Sequence, residues 1–126
     1  MWTLFWVSLA GAGGTLARYL LSGLAMQWMG ISYPYGTLTV NVAGSFLMGL
    51  LIELSLSTSF VSPSARLILA TGFLGGFTTY SSFNQETIQQ IQSGDYQKAF
   101  LYILMTLLFC LVAGYLGWGI ARKFIG

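Results

Sequence analysis

The stretch that decides the fold is Gly72-Phe73-Leu74-Gly75-Gly76-Phe77-Thr78-Thr79-Tyr80-Ser81-Ser82-Phe83-Asn84-Gln85-Glu86. It is framed by Arg66 and Asp95, so its centre, at about position 80, falls near mid-membrane if the segment spans a bilayer. The paired glycines and the hydroxyl-bearing residues after them predict a helix that breaks there. Carbonyl and N–H groups freed by such a break are tolerated where they line a cavity or bind an ion. Carbonyl oxygens are hard ligands that suit a small hard cation.

The rest of the chain is strongly apolar. It has 126 residues, of which 56% are hydrophobic and 6% are charged, whereas about 25% of an ordinary soluble domain is charged. This composition excludes an ordinary soluble domain and a disordered chain. Eight charges interrupt the sequence: Arg18, Glu53, Arg66, Glu86, Asp95, Lys98, Arg122 and Lys123.

Four apolar stretches are long enough to cross a bilayer, since a spanning helix needs about 20 residues. They cover about Phe5–Ala25, Leu38–Ser57, Leu67–Ile91 and Ala99–Ala121. The short connections carry Gly, Pro and Ser turn signals, which leave no room for a separate soluble part. The sequence therefore predicts an all-α integral membrane protein in which residues 1–126 form a single four-span domain, located in the cell membrane as a multi-pass protein.

The composition also excludes several function classes. The chain has five Lys and Arg residues and no basic face, so nucleic-acid binding is not expected. It has no His and one Cys, Cys110, which removes the usual zinc, haem and Cys–His chemistries. No nucleophile–base pair is visible, so the sequence does not predict an enzyme.

The positive charges divide almost evenly between the two sides of the membrane. Arg18 and Lys98 fall on one side, and the other side receives Arg66, Arg122 and Lys123. The positive-inside rule therefore gives almost no preferred orientation. Insertion in both orientations would permit an antiparallel homodimer, and a single orientation fixed by some other feature stays open.

Polar residues inside spans are the best functional leads, because a bilayer does not solvate them. In span 2, Thr37, Asn41 and Ser45 recur every four residues and form one stripe. The Asn41 amide has two N–H donors that could face an anion, and an interhelical hydrogen bond is an equally open interpretation. Span 1 carries two pairs of small residues that predict close helix packing, Ala10/Gly14 and Gly13/Ala17.

Span 4 shows a second stripe at four-residue spacing, formed by Tyr102, Thr106, Cys110 and Gly114. The hydroxyls of Tyr102 and Thr106 could hydrogen-bond a passing ion. Cys110 is interpreted as a small neutral packing residue.

With these motifs the chain resembles the Fluc family, the fluoride ion channels of bacterial membranes. The likeness covers nearly the whole chain and is carried by Gly13–Tyr19, Gly36–Gly44 and Gly72–Phe83. It implies passive export of fluoride through a dual-topology antiparallel homodimer with two pores. It also implies a central Na⁺ that is not transported, held by the backbone carbonyls of Gly75 and Thr78 from each subunit.

The resemblance also implies a fluoride pathway. Asn41 matches the pore-lining Asn of the family, and Tyr80 and Phe83 match its fluoride-binding aromatic pair, whose first member is usually Phe. The remaining pathway residues are Thr37, Glu86, Tyr102, Thr106 and Cys110, and Cys110 departs from the hydroxyl-bearing pattern of span 4. Neutral N–H and O–H donors and ring edges can replace the water shell of fluoride and still release the ion.

Two charged residues receive separate interpretations. Arg18 either shapes a vestibule that attracts anions or reaches the lipid headgroups. Glu86 would repel an anion, so it is predicted to orient Thr37 or Tyr102 rather than to bind fluoride. The main alternative function is a proton-coupled multidrug exporter of the small four-span type, but that class needs a carboxylate in the first span, and this chain has none there.

Overall fold

The computed structural model describes residues 1–126, and all its regular elements are helices, with no strand. Its elements are α1 (Trp2–Met29), α2 (Tyr35–Ser57), α3 (Pro63–Leu67), a π-helical segment (Ile68–Leu74), α4 (Gly75–Phe77), α5 (Tyr80–Gln92) and α6 (Tyr96–Ile125). Three helices, α1, α2 and α6, are long and apolar enough to cross a membrane. Together with the bent helix from α3 to α5, they make the chain a multi-pass membrane protein.

The bent helix corresponds to the third predicted span and changes its backbone geometry four times. Ser62 caps its start by accepting a hydrogen bond from the Ala65 N–H at 3.1 Å. After the π-helical segment and α4, Thr78 and Thr79 adopt extended conformations. Thr79 then caps α5 by accepting from the Ser82 N–H at 3.2 Å. The break therefore lies at the hydroxyl-bearing end of the predicted stretch, and the paired glycines remain helical.

Close backbone contacts join α1 to the bent helix. A Cβ at Gly14 would collide with the carbonyl oxygen of Phe73, and one at Gly76 would collide with the carbonyl oxygen of Gly11. Small residues let the two backbones touch directly, which is how membrane helices pack without a hydrophobic driving force. The close packing predicted for span 1 is thus confirmed at Gly14.

The interior of one chain is small for its length. Val40, Leu74 and Phe77 form its buried apolar cluster, between α2 and the bent helix. Only 20 of 126 residues are buried, and large apolar side chains such as Leu111 and Phe100 are exposed. An apolar surface of this extent suits lipid or another apolar partner better than water.

Candidate functional site

The centre of the site is a two-way hydrogen-bonded pair between Asn41 on α2 and the backbone at the helix break. The Asn41 Nδ2 donates to the Thr79 carbonyl oxygen at 3.1 Å, and the Thr79 N–H donates to the Asn41 Oδ1 at 2.8 Å. In an uninterrupted α-helix the Thr79 N–H would instead donate to the carbonyl of Gly75. Asn41 therefore satisfies two backbone groups that the break exposes, and this is the interhelical bond that the sequence left open.

This pairing also fixes the orientation of the Asn41 amide. Because the Oδ1 accepts from a backbone N–H and one Nδ2 hydrogen is donated to a carbonyl, a flipped amide would face donor to donor and acceptor to acceptor. One Nδ2 hydrogen is left over. This N–H can donate to a further ligand, and the Oδ1 keeps a second lone pair that can accept.

Glu86 joins three helices through its carboxylate. The Thr37 hydroxyl on α2 donates to the Glu86 Oε1 at 2.6 Å, and the Tyr102 hydroxyl on α6 donates to the Oε2 at 2.6 Å. Both distances lie at the short end of the range for O–H···O hydrogen bonds. Each carboxylate oxygen thus holds one hydroxyl in a fixed orientation, and Glu86 contacts both Thr37 and Tyr102, of which the sequence predicted one or the other.

Aromatic rings form a continuous row beside these polar groups. Tyr80 and Phe83 meet edge-on at 5.6 Å and 61°, Phe83 lies 5.1 Å from Tyr102, and Tyr102 meets Tyr33 at 5.5 Å and 82°. Tilted and edge-on rings present their electropositive edges to their surroundings. Tyr102 is fully buried at the middle of the row, whereas Tyr80 is 79% exposed at its end.

Tyr33 is a part of the row that the sequence did not single out. It lies in the loop before α2, and its hydroxyl contacts the Met105 Sδ at 3.6 Å. Burial raises the pKa of the Tyr33 phenol, and the neighbouring Tyr35 raises that pKa further, so the phenol stays neutral at physiological pH. The aromatic pair Tyr33 and Tyr35 was the sequence feature that could have indicated this role, but such pairs are equally typical of residues at a membrane surface.

A groove of about 580 Å³ runs between α2, the bent helix and α6, and we call it the pathway groove. Five predicted pathway residues line it: Asn41, Tyr80, Phe83, Thr106 and Cys110. No residue that lines it is charged. The Thr106 hydroxyl is buried and has no hydrogen-bond partner in the protein, which leaves one free donor beside the groove.

A second cavity, of about 830 Å³, has Thr79 in its lining and includes two charged residues. Arg18, Thr37 and Glu86 line it. Tyr102 lines neither cavity but reaches the second one through its bond to Glu86. The predicted residues therefore fall into a charged cavity and a neutral groove that meet at the helix break.

The two residues predicted to hold a cation lie at the same break. Gly75 is exposed and Thr78 is half-buried, and the Gly75 carbonyl has lost the helical donor that bonds to Asn41 instead. Backbone carbonyls are hard oxygen donors and fit a cation such as Na⁺. Two carbonyls leave most coordination positions unfilled, so this donor set fits Na⁺ only when a second copy of the chain adds its own pair.

The fold and the site together define a class, a multi-pass helical membrane protein with a neutral groove lined by hydrogen-bond donors at a broken helix. Residues 5–118 match the family described as CrcB-like protein, Camphor Resistance (CrcB). The chain belongs to this family, which confirms the resemblance drawn from its sequence.

Curated relatives match over nearly their full length, and each is named Fluoride-specific ion channel FluC. The protein from Sorangium cellulosum is 52% identical over 96% of this chain and 95% of its own length. The protein from Geobacter metallireducens is 45% identical over 97% of this chain and 98% of its own length. The protein from Magnetococcus marinus is 44% identical over 93% of this chain and 95% of its own length.

Proposed function

We propose that this chain is a fluoride-selective channel that lets fluoride leave the cell passively and so lowers its toxicity in the cytoplasm. The observation that carries the proposal is the pathway groove, whose lining is free of charge yet includes the amide of Asn41 and the unpartnered hydroxyl of Thr106. The names of the relatives support fluoride as the ion. The chain is a channel rather than an enzyme.

Fluoride is small and strongly hydrated, so a pathway must replace its water with donors. Arg18 attracts the anion into the charged cavity, and the remaining N–H of Asn41 and the hydroxyl of Thr106 take over part of its shell. The ring edges of Phe83 and Tyr80 supply weak positive potential without a fixed charge. Neutral donors in series hold an ion loosely enough for it to move on.

Glu86 acts as a positioning residue in this proposal. Its two carboxylate oxygens are occupied by the hydroxyls of Thr37 and Tyr102, which spreads its negative charge over two hydrogen bonds. The carboxylate therefore fixes two hydroxyl groups beside the path and does not bind fluoride itself.

The functional unit in this proposal is an antiparallel homodimer of the 1–126 domain with four spans per chain, two pores and one structural Na⁺. The exposed apolar surface and the exposed Gly75 support a second copy as the partner. The carbonyls of Gly75 and Thr78 from both chains would hold Na⁺, which would neutralise oxygen dipoles that otherwise face each other across the interface. Reporter fusions at the C-terminus test the topology, because a signal from one side of the membrane alone would refute the antiparallel arrangement.

Fluoride release from liposomes tests the function. Vesicles loaded with fluoride and containing the purified protein should release it to an ion-selective electrode, and matched vesicles loaded with chloride should retain their content. Equal chloride release, or no fluoride release, would refute the proposal.

The same vesicles test the alternative, a proton-coupled exporter of cationic drugs. That function needs an isolated acid inside the membrane, but Glu53 lies 3.5 Å from the Arg122 Nε and Glu86 is bonded to two hydroxyls. Proton-driven uptake of a cationic dye without fluoride release would favour the exporter.

A further inference from the structure

Two cavities lie where the loop before α2 meets the loop between α5 and α6. They measure about 450 Å³ and about 640 Å³, and we call them the loop cavities. With four spans, the first and third connections lie on the same side of the membrane, so both cavities open at one membrane surface. Four residues line both of them: Ser32, Tyr33, Asp95 and Lys98.

Asp95 and Lys98 carry opposite charges in these cavities and do not pair with each other. The one ion pair of the chain joins Arg122 to Glu53. Asp95 accepts a long hydrogen bond from the Ser93 hydroxyl at 3.5 Å, and Lys98 is half-buried. The two residues are separated by about one helical turn, a rise of about 5.4 Å. A carboxylate and an ammonium are therefore both left for the opposite charges of a ligand.

The start of α6 adds backbone donors beside Lys98. Asp95 directly precedes the helix, yet its side chain makes no capping hydrogen bond. The N–H groups of the first turn therefore have no side-chain acceptor, and the helix of 30 residues places the positive end of its dipole there. Phosphate groups bind at helix starts of this kind. Together with Lys98, this end of α6 suits the negative part of a ligand.

A buried amide oxygen indicates a ligand that carries hydrogen-bond donors. Gln90 lines the smaller loop cavity and is only 8% exposed, and its Oε1 has no hydrogen-bond partner. A buried acceptor without a partner is uncommon in folded proteins. The Asp95 N–H donates to the Gln90 carbonyl oxygen at 2.9 Å, so the backbone holds the free carboxylate beside Gln90. An acceptor next to a carboxylate fits a cation that bears N–H groups.

We propose that the loop cavities bind the headgroup of a phospholipid that has a primary ammonium, as in phosphatidylethanolamine. The ammonium donates to the Asp95 carboxylate and to the Gln90 Oε1. The phosphate lies against Lys98 and the start of α6. Glu86 also lines the smaller cavity, but both of its oxygens accept from hydroxyls, so it contributes negative potential and no free ligand atom. The proposal concerns lipid binding and does not depend on fluoride conduction.

The surroundings favour a lipid over a soluble molecule with the same headgroup. Tyr33, Tyr35 and Tyr96 line the larger loop cavity, and tyrosines are enriched in the headgroup layer of a membrane. Leu101 belongs to the same lining and lies one turn further along α6, toward the hydrocarbon. An acyl chain can therefore leave the cavity along α6 and cover Leu101, which is exposed in the single chain.

The ligand set predicts discrimination among headgroups. The quaternary ammonium of phosphatidylcholine has no N–H group, so it cannot donate to the Gln90 Oε1. Phosphatidylglycerol has hydroxyl donors but no positive charge for Asp95. Phosphatidylethanolamine should therefore bind about tenfold more tightly than phosphatidylcholine, as expected for loss of hydrogen bonds from a charged donor.

The experiment uses the purified full chain in detergent, stripped of lipid, and counts bound lipid by native mass spectrometry during a titration. The probes are phosphatidylethanolamine, its N-methyl and N,N-dimethyl derivatives, and phosphatidylcholine, all with identical acyl chains. The parent should bind these lipids in the order of their remaining N–H groups. Equal binding of all four would overturn the proposed ammonium contacts.

Substitutions separate the contacts from one another. Gln90→Leu should bind phosphatidylethanolamine about tenfold more weakly and phosphatidylcholine as the parent does. Asp95→Asn, a change at an exposed residue that leaves the fold intact, should weaken both of these lipids, and Lys98→Met should weaken phosphatidylglycerol as well. The matched controls are Gln92→Leu and Lys123→Met, which alter residues outside the loop cavities and should bind every lipid as the parent does.

Four outcomes would overturn the proposal. Parental binding by Asp95→Asn would remove the ammonium contact even if Gln90→Leu failed to fold, and parental binding by Lys98→Met would remove the phosphate contact. Tighter binding of phosphatidylglycerol than of phosphatidylethanolamine would reduce the site to attraction of an anionic lipid by Lys98. Soluble glycerophosphoethanolamine separates the two sources of the headgroup, because displacement of the lipid at an equal concentration would assign the site to a soluble ligand.

Discussion

Replacing Asn41 with Ala removes both hydrogen bonds that hold the helix break to α2. The substitution deletes the acceptor of the Thr79 N–H and the donor to the Thr79 carbonyl. Thr79 is only 7% exposed, so neither group gains full hydration in exchange. Interhelical hydrogen bonds in membrane proteins contribute about 0.6 kcal/mol on average and about 1.7 kcal/mol at most. Two of them predict a loss of about 1–3 kcal/mol in the stability of the break, which is about a 5- to 150-fold change in an equilibrium constant.

Hydrogen exchange at the Thr79 backbone amide measures this change directly. We expect its exchange to become about 5- to 150-fold faster in Asn41→Ala, because local opening no longer breaks the bonds of the pair. Thr39→Val is the matched control. Thr39 lies half-buried on the same helix two residues earlier, and its removal deletes a hydroxyl without touching the pair. In the Thr39→Val variant, the Thr79 amide should exchange at the parental rate.

Fluoride release supplies a second readout of the same variant. Asn41→Ala should lose most of its fluoride release, because it loses a donor in the pathway groove as well as the pair. Unchanged exchange at Thr79 would refute the idea that Asn41 holds the break, whatever the transport result. If both the Thr79 exchange rate and the fluoride release rate stay at the parental values, Asn41 neither holds the break nor contributes to fluoride conduction.

Three further predictions concern packing, the carboxylate and the aromatic pair. Gly76→Ala should destabilise the protein by about 1–3 kcal/mol in a detergent unfolding titration, because the new methyl group collides with the Gly11 carbonyl. Gly23 has open space around it, so the control variant Gly23→Ala should unfold as the parent does. Glu86→Gln should slow fluoride release about tenfold, because one of two charge-assisted hydrogen bonds is lost or reversed; release at the parental rate would show that the charge is irrelevant. Tyr80→Phe should retain selectivity over chloride and change the release rate by less than about tenfold, whereas an identical rate and selectivity would remove any role for the hydroxyl.

The helical fold was predictable because its cause is local in the sequence. Scarcity of charge and stretches of about 20 apolar residues predicted where the helices lie, and α1 and α6 run beyond the predicted Phe5–Ala25 and Ala99–Ala121 at both ends. Hydropathy stops at the edge of the hydrocarbon, whereas a helix continues as long as its backbone bonds do. Interfacial residues such as Trp28 and Tyr96 therefore belong to the helices without belonging to the apolar stretches.

The sequence predicted which residues belong to the site but not which groups they bond to. The four-residue spacing placed Asn41 and Thr106 on stripes, but nothing local to either residue showed that Asn41 would bond to the backbone of a residue 38 positions away. The same distance problem hid the exact place of the break. Glycine pairs suggest weakness in a helix, yet Gly75 and Gly76 stay helical, α4 ends at Phe77, and Asn41 binds the Thr79 N–H beyond it.

The π-helical segment Ile68–Leu74 sets the direction in which the rest of the bent helix faces. A π-turn contains about one residue more than an α-turn, so the segment acts as a one-residue insertion that sets the angular phase of everything after it. Winding the same number of residues into ordinary α-turns would instead rotate the following chain by about 100° about the helix axis. The Thr79 backbone would turn away from α2 while every side chain of the site remained present in the sequence. The backbone hydrogen-bond pattern of this segment therefore fixes where the break faces.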